Sequence, residues 1–231
     1  NPNQEINIGL VGKYIKLKDS YKSICEALIH ASTEKNCKVN IKWIHAEGIN
    51  KENIQDDLGS LNGVLVAPGF GDRGIEGKIS AINYVRENNI PFLGICLGMQ
   101  CAVVEFARNV LKKTDANSTE MNQNTKNPVI DIMENQKEIQ NKGGTMRLGA
   151  YNCKLEKNSF AHKAYKQDSI IERHRHRYEF NNSFQNDFTN NGMTFTGINP
   201  ENNLVEIIEI PKHKWFVGVQ FHPEYSSTVL R

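Results

Sequence analysis

The amino-acid sequence predicts an α/β protein with a mostly parallel central sheet, helices on both faces and an antiparallel extension. Over the first 110 residues, short apolar runs alternate with stretches whose apolar residues recur at helical spacing. From residue 149 onward, strand-like runs follow one another without clear helices between them. Alternating strands and helices are typical of a parallel sheet covered on both faces, and consecutive strands favour antiparallel pairing.

The predicted strands are short runs rich in Val, Ile and Leu. They cover residues 6–11, 39–44, 63–66, 91–95, 150–155, 193–198, 205–210 and 215–220. One predicted helix begins near residue 20 and carries its apolar side chains on one stripe, and two more cover residues 75–87 and 98–108. Residues 112–142 are polar and rich in Asn, with an apolar patch at 129–133, and are expected to form either a functional loop or a disordered segment.

Composition indicates one soluble domain. The chain has 231 residues, enough for one well-filled core, and a net charge of +2 favours neither nucleic acid nor a membrane as partner. Five scattered cysteines without a Cys-x-x-Cys pair are typical of a reducing compartment, and they suggest neither disulfides nor a metal site. Without a membrane-length apolar run or a leader pattern, we expect a cytoplasmic protein. The first residue is Asn1 and not Met, so the chain can be part of a longer polypeptide.

The sharpest local feature is the segment Gly94-Ile95-Cys96-Leu97-Gly98. A predicted strand ends there at a cysteine, and a helix begins at once. This is the pattern of a nucleophile elbow, in which flanking glycines permit a tight, strained turn. The helix N-terminus favours a thiolate, and the N–H of Leu97 would point to where an oxyanion forms. The alternative is a buried structural cysteine at a strand end.

A cysteine nucleophile needs a base and a group that orients the base. Near the end of the sequence, His222 follows an apolar strand, and Glu224 comes after the intervening Pro223. The proline restricts the backbone, so that imidazole and carboxylate can face each other across a rigid bend. Alone the triplet is weak evidence, because a single histidine is more often a core or surface residue. Together with the elbow it indicates a Cys-His-Glu triad.

These motifs resemble a known family. Cys96 within Gly-Ile-Cys-Leu-Gly-Met-Gln, together with His222 and Glu224, is similar to the class-I glutamine amidotransferases, whose triad has this chain order. Further segments narrow the resemblance to the amidotransferase domain of the CTP synthase family, namely residues 69–78, 91–100, 104–109, 143–149 and 173–179. The resemblance implies a single amidotransferase domain over residues 1–231, with a flavodoxin-like fold and without the N-terminal synthetase domain.

The resemblance also implies which residues bind glutamine. They are Gly69, Leu97, Gly98, Met99, Gln100, Glu120 and Arg177. Gly69 and the N–H of Leu97 would form the oxyanion hole. Glu120 would contact the α-amino group, and Arg177 would pair with the α-carboxylate. Without the resemblance, Glu120 would be interpreted as a solvated charge in a polar loop.

Two segments near the implied pocket carry further expectations. By resemblance, Arg73 would belong to a lid linked to activation by GTP. Read alone, residues 173–177 would be a basic edge strand or a phosphate-binding patch. If this segment is extended, alternation places its three arginines on one face and His174 with His176 on the other.

The loop before the implied lid departs from the family pattern. Relatives have Pro-Gly-Gly before the phenylalanine, whereas this chain has Ala67-Pro68-Gly69 before Phe70. Proline at position 68 removes one N–H and restricts Ala67, so we expect a stiffer loop. Gly69 keeps its own N–H.

The implied activity is hydrolysis of L-glutamine to glutamate and ammonia through a cysteine thioester. The ammonia would pass to a synthetase domain of the same polypeptide, which aminates UTP to CTP with ATP and Mg²⁺, with GTP as activator. We expect no cofactor or metal in this domain and a homo-oligomeric full-length enzyme. A γ-glutamyl hydrolase on the same fold is one alternative, which the segments 144–149 and 173–179 speak against. A non-catalytic glutamine-sensing or assembly module is another, which the intact triad speaks against.

Overall fold

The structure, a computed structural model, describes residues 2–15, 17–132 and 146–229. Its strands are β1 (Glu5–Gly12), β2 (Lys38–His45), β3 (Gly63–Val66), β4 (Phe92–Ile95), β5 (Asn117–Ser118), β6 (Pro128–Ile132), β7 (Arg147–Leu155), β8 (Ser169–His176), β9 (Tyr178–Phe180), β10 (Thr194–Ile198), β11 (Val205–Glu209) and β12 (Phe216–Val219). Its α-helices are α1 (Lys22–Glu34), α2 (Ile54–Leu58), α3 (Ile75–Glu87), α4 (Leu97–Asn109), α5 (Phe160–Tyr165) and α6 (Gln185–Asn190). No helix in these ranges combines the length and apolar character needed to cross a lipid bilayer.

Nine strands form one sheet in the order β2-β1-β3-β4-β12-β11-β10-β7-β8. The pairings from β2 to β12 are parallel. Those from β12 through β11, β10 and β7 to β8 are antiparallel. The prediction of a parallel sheet with an antiparallel extension is therefore confirmed. A second, three-stranded sheet has the order β5-β6-β9.

Helices cover both faces of the parallel strands, as predicted. Successive strand side chains point to opposite faces, so that Val11 and Val66 enter one hydrophobic cluster and Leu10 and Leu65 the other. Helices α3 and α4 pack on the first cluster. Helix α1 packs on the second cluster through Ile24. Burial on both faces explains why these strands read as continuous apolar runs.

The expectation of no clear helices after residue 149 is wrong at two places. Helices α5 and α6 have six residues each, too few for a recognisable amphipathic stripe. Helix α5 begins after Ser159, whose side chain accepts a hydrogen bond from the N–H of His162 at 3.0 Å. Within the region expected to be a functional loop or a disordered segment, β6 falls on the apolar patch and pairs with β9. Residues 133–145, which include part of the segment 143–149, lie outside the described residues.

The order of the strands determines what lies at the carboxyl edge of the sheet. Strand β4 lies between β3 and β12 and is parallel to both. The segments that follow these three strands therefore emerge side by side, with that of β4 in the middle. Cys96 follows β4, Ala67 follows β3, and His222 comes shortly after β12. Ligands of open α/β sheets bind at such an edge.

Candidate active site

Cys96 occupies a strained turn between β4 and α4. Its φ of 51° and ψ of −104° lie outside the regions that residues with a side chain normally adopt. Its N–H donates to the carbonyl of Val219 at 2.7 Å, and its carbonyl accepts from the N–H of Gln100 at 3.1 Å. The sheet therefore holds the turn on one side and the helix holds it on the other. Cys96 is 3% exposed.

The two glycines of the elbow are needed for close packing. A Cβ on Gly98 would overlap the carbonyl oxygen of Val66 at the end of β3. A Cβ on Gly94 would lie 2.7 Å from the carbonyl carbon of Gly98. The flanking glycines therefore permit the tight turn, as predicted, and helix α4 can approach the end of β3 because Gly98 has no side chain.

The side chains of His222 and Glu224 face each other close to the elbow at Cys96. The distance between Nδ1 of His222 and Oε1 of Glu224 is 2.8 Å, and the two residues are 5% and 8% exposed. Pro223 begins a short 3-10 turn, Pro223–Tyr225, that carries the glutamate back toward the imidazole. The N–H of His222 donates to the carbonyl of Arg173 on β8 at 2.8 Å. The antiparallel extension thus helps to place the histidine.

The imidazole of His222 also faces the thiol of Cys96. Nδ1 of His222 is hydrogen-bonded to Glu224, so Nε2 is the ring nitrogen left to interact with Cys96. Nε2 has no hydrogen-bond partner among the described residues. Burial lowers the pKa of His222, but the nearby thiol of Cys96 and the interaction with Glu224 outweigh burial and raise this pKa above its ordinary value. Such an imidazole is suited to take the thiol proton. The side-chain nitrogen of Gln220 lies 3.7 Å from the sulfur.

A cavity of about 200 Å³ opens beside Cys96. It is lined by Gly69, Phe70, Cys96, Gln100, Glu120, Met146, His176, Arg177 and Tyr178. The structure therefore brings together five of the residues predicted for the nucleophile and the glutamine pocket: Gly69, Cys96, Gln100, Glu120 and Arg177. Their segments follow β3, β4, β5 and β8.

Three other predicted residues, Leu97, Gly98 and Met99, are not among the residues that line the cavity. Met99 is fully buried in the core between the sheet and the helices. Gly98 packs on Val66. Leu97 is the first residue of α4, so its N–H has no partner within the helix and remains available beside Cys96. Leu97 can thus act through its backbone, whereas the side chain of Met99 belongs to the core.

Two polar residues of the cavity are held by the backbone around them. The amide nitrogen of Gln100 donates to the carbonyl of Tyr178 at 2.9 Å. Oε1 of Glu120 accepts from the N–H of Gly71 at 3.2 Å. Glu120 therefore joins the loop after β5 to the loop after β3.

Sequence reasoning missed four lining residues, Phe70, Met146, His176 and Tyr178. For His176 a signal existed in the predicted alternation, which holds along β8: His174 and His176 are buried, and Arg173 and Arg175 are exposed. Arg177, predicted to share the face of the other two arginines, lies beyond the end of β8, is half-buried and lines the cavity together with His176, so the alternation does not extend to it.

Arg73 lies outside the cavity. Its Nε is 3.1 Å from Oε1 of Glu47, and its guanidinium is 5.6 Å from the ring centre of Tyr14. Both partners belong to loops at the same edge of the sheet. Within the described ranges, no group of three His, Cys, Asp or Glu side chains is placed to hold a metal ion.

Comparison with known proteins assigns the class. The family model of class-I glutamine amidotransferases matches residues 16–231. The chain therefore belongs to the class-I glutamine amidotransferases. A glutamine amidotransferase from Thermotoga maritima shares the fold, with a TM-score of 0.58 at 16% identity, covering 95% of this chain and 76% of that one.

Within that class, the resemblance is to CTP synthases, as the sequence motifs predicted. The CTP synthases of Christiangramia forsetii and Cytophaga hutchinsonii are each 62% identical over 229 residues, which are 99% of this chain and 42% of theirs. The chain thus spans less than half the length of these relatives. The glutaminase domain of Trypanosoma brucei CTPS, solved with bound acivicin, matches with a TM-score of 0.91 at 36% identity, covering 97% of this chain and 88% of that one.

Proposed function

We propose that the chain hydrolyses L-glutamine to glutamate and ammonia through a γ-glutamyl thioester on Cys96. One observation carries the proposal: Cys96 stands on the strained turn at the start of α4, facing an imidazole whose other nitrogen is held 2.8 Å from Glu224. A thiol, a base and a group that orients the base are the parts that nucleophilic amide hydrolysis requires.

The reaction proceeds in two stages. His222 takes the proton from Cys96, and the thiolate attacks the side-chain amide carbon of glutamine. The N–H groups of Gly69 and Leu97 stabilise the tetrahedral oxyanion. His222 then gives its proton to the leaving nitrogen, which departs as ammonia. Water, deprotonated by His222, next attacks the thioester and releases glutamate with regeneration of the thiol.

The remaining cavity residues bind the amino-acid end of the substrate. Arg177 pairs with the α-carboxylate, which suits the planar fork of a guanidinium. Glu120 uses the oxygen not bonded to Gly71 to accept from the α-ammonium group. Both residues line the cavity that contains Cys96. Glutamine is thereby selected by its charged end and cleaved at its amide.

The ammonia serves the amination of UTP to CTP by a synthetase domain of the same polypeptide, with ATP and Mg²⁺ as further reactants and GTP as activator. The relatives named CTP synthase, which extend well beyond the matched region, support this role. Arg73, on the loop that follows Gly69, is proposed as the GTP-responsive contact.

A glutamine analogue with an electrophilic side chain tests the nucleophile. Cys96 should be labelled, and mass spectrometry of the digested protein should find the label on its peptide. Cys101 is the internal control, because it does not line the cavity and burial raises the pKa of its thiol to about 11. Label on Cys101, or unchanged labelling in Cys96→Ala, would contradict the assignment.

A further inference from the structure

Lys78 is a fully buried lysine to which the proposed mechanism gives no role. Its side chain is 0% exposed, and Nζ donates a hydrogen bond to the carbonyl of Ala67 at 2.7 Å. Charged lysines are seldom fully buried, because loss of hydration disfavours the ammonium. The burial of Lys78 is therefore explained only if its charge or its hydrogen bond serves a nearby part of the protein.

The ammonium lies beneath the loop that carries Gly69. A Cβ built on Gly69 would be 3.9 Å from Nζ of Lys78 and 3.5 Å from Cδ2 of Leu97. Gly69 and Leu97 carry the two N–H groups assigned to the oxyanion hole. The positive charge of Lys78 therefore lies beside the loop that carries one of these two N–H groups.

The hydrogen bond to Ala67 constrains the direction of the Gly69 N–H. The peptide between Ala67 and Pro68 is planar, and its carbonyl is fixed by Lys78. The N–H of Ala67 is also fixed, since it donates to the carbonyl of Val11 at 3.0 Å. The Gly69 N–H belongs to the next peptide plane, whose orientation depends on φ and ψ of Pro68. The proline ring fixes φ, so ψ of Pro68 is the only backbone angle left to change the direction of this N–H.

Lys78 is charged at neutral pH. Burial lowers the pKa of Lys78 to about 8, while Cys101 and Cys96 act to raise it and Lys13 acts to lower it. Three further ionisable groups lie around this loop. Lys13, whose Cε would be 3.4 Å from a Cβ on Gly69, donates to the carbonyl of Phe70, Glu120 accepts from the N–H of Gly71, and Glu76 pairs with Arg108. The charge beneath Gly69 is thus lost as pH rises through about 8.

We propose that Lys78 is a positioning residue for the glutamine hydrolysis described above: its buried ammonium fixes the loop that presents the Gly69 N–H, and its charge favours the developing oxyanion. The inference rests on the proposed function of Cys96. Lys78 does not line the cavity, so we expect it to act on kcat and not on glutamine binding.

The test compares ammonia release by the full-length protein and its Lys78→Met variant across pH. Methionine has a similar length but no charge and no donor. We expect kcat to fall at least about tenfold at pH 7, since misaligned oxyanion donors are costly, with KM changed less than about twofold. The wild-type kcat should decline as pH rises through 8, and the variant should lack that decline. Lys112→Met is the matched control, because Lys112 also donates to a backbone carbonyl at 2.7 Å but is exposed.

The outcomes separate this inference from the proposed function. If the wild type releases ammonia, Cys96→Ala does not, and Lys78→Met keeps the wild-type kcat and pH profile, only the role of Lys78 is overturned. If the wild type releases none, or Cys96→Ala retains release, both proposals fall. Lys78→Gln, which keeps a donor and removes the charge, gives the same comparison if the methionine variant does not fold. Failure of both variants to fold would make Lys78 structural and overturn the inference.

Discussion

Arg147 and Glu206 form a buried ion pair behind the cavity, with 2.8 Å between Nη1 and Oε1. Glu179 lies 3.8 Å from the same Nη1, and Nε2 of His174 is 3.5 Å from the second oxygen of Glu206. His174 in turn bonds to His176, at 2.8 Å between ring nitrogens, and His176 lines the cavity. A buried polar cluster therefore supports one wall of the cavity beside Cys96.

This cluster predicts a pH-dependent stability. Burial raises the pKa of Glu179 to about 8, although Arg147 acts to lower it. The pKa of an unfolded glutamate is about 4.3, so the folded state binds this proton more tightly than the unfolded state does. The stability that the proton contributes is lost as pH rises through about 8. Glu179→Gln has no proton to lose. Its free energy of unfolding relative to wild type should therefore increase between pH 5 and 8, by at most about 1.4 kcal/mol per pH unit.

Denaturant unfolding at several pH values measures this difference. The exposed Glu52→Gln is the matched control and should show no such trend. A difference between Glu179→Gln and wild type that stays constant with pH would contradict a buried, protonated Glu179.

The packing of the elbow predicts that Gly98 cannot be replaced. In Gly98→Ala the new methyl group would overlap the carbonyl oxygen of Val66, which is backbone and cannot move aside. Overpacking of this kind costs about 1–3 kcal/mol or more. Gly48→Ala is the control, because nothing lies within 4 Å of a Cβ at that position. Equal stability of the two variants in denaturant unfolding would show that α4 does not depend on this contact.

The proposed pairing of Arg177 with the α-carboxylate predicts an effect on glutamine binding. Removing one partner of a buried charge-assisted pair costs about 2–5 kcal/mol. At about 1.4 kcal/mol per factor of ten, Arg177→Ala should raise KM for glutamine at least roughly 30-fold. The kcat should change less, since the carboxylate is remote from the amide. Arg173→Ala, on the exposed face of β8, should leave KM unchanged; a normal KM in Arg177→Ala would refute the pairing.

Arg73 allows a test of the proposed GTP response with a matched partner. Its ion pair with Glu47, 3.1 Å long, is broken equally by Arg73→Ala and by Glu47→Gln. If Arg73 responds to GTP, only Arg73→Ala should lose activation of glutamine hydrolysis in the full-length protein. Loss of GTP activation in both variants would assign the effect to the ion pair. Loss in neither variant would show that Arg73 has no part in the response to GTP.

The elbow and the His-Glu pair could be predicted from sequence because their parts are neighbours along the chain. Glycines on either side of Cys96 signal the turn, and Glu224 is two residues from His222. Alternating strands and helices likewise predict a parallel sheet, although they do not give the order of its strands. Local sequence patterns were therefore sufficient to predict the fold class and the three candidate catalytic residues.

The rest of the cavity could not be predicted in this way. His176 reaches the cavity through the antiparallel pairing of β7 and β8, and Tyr178 through the antiparallel pairing of β6 and β9. The register of both pairings depends on contacts distant in sequence. Lys78 lies in the first part of α3, where a lysine is usually exposed, and its burial depends on how closely α3 approaches the loop after β3.

The nucleophilic role of Cys96 is tested most directly by comparing two nitrogen donors in the full-length protein. CTP formation from UTP and ATP is measured for wild type and Cys96→Ala, once with glutamine and once with ammonium salt. Cys96→Ala should form no CTP from glutamine and should keep wild-type formation from ammonia, because ammonia bypasses the thioester. Undiminished glutamine-dependent formation in Cys96→Ala would contradict the proposed role of this residue.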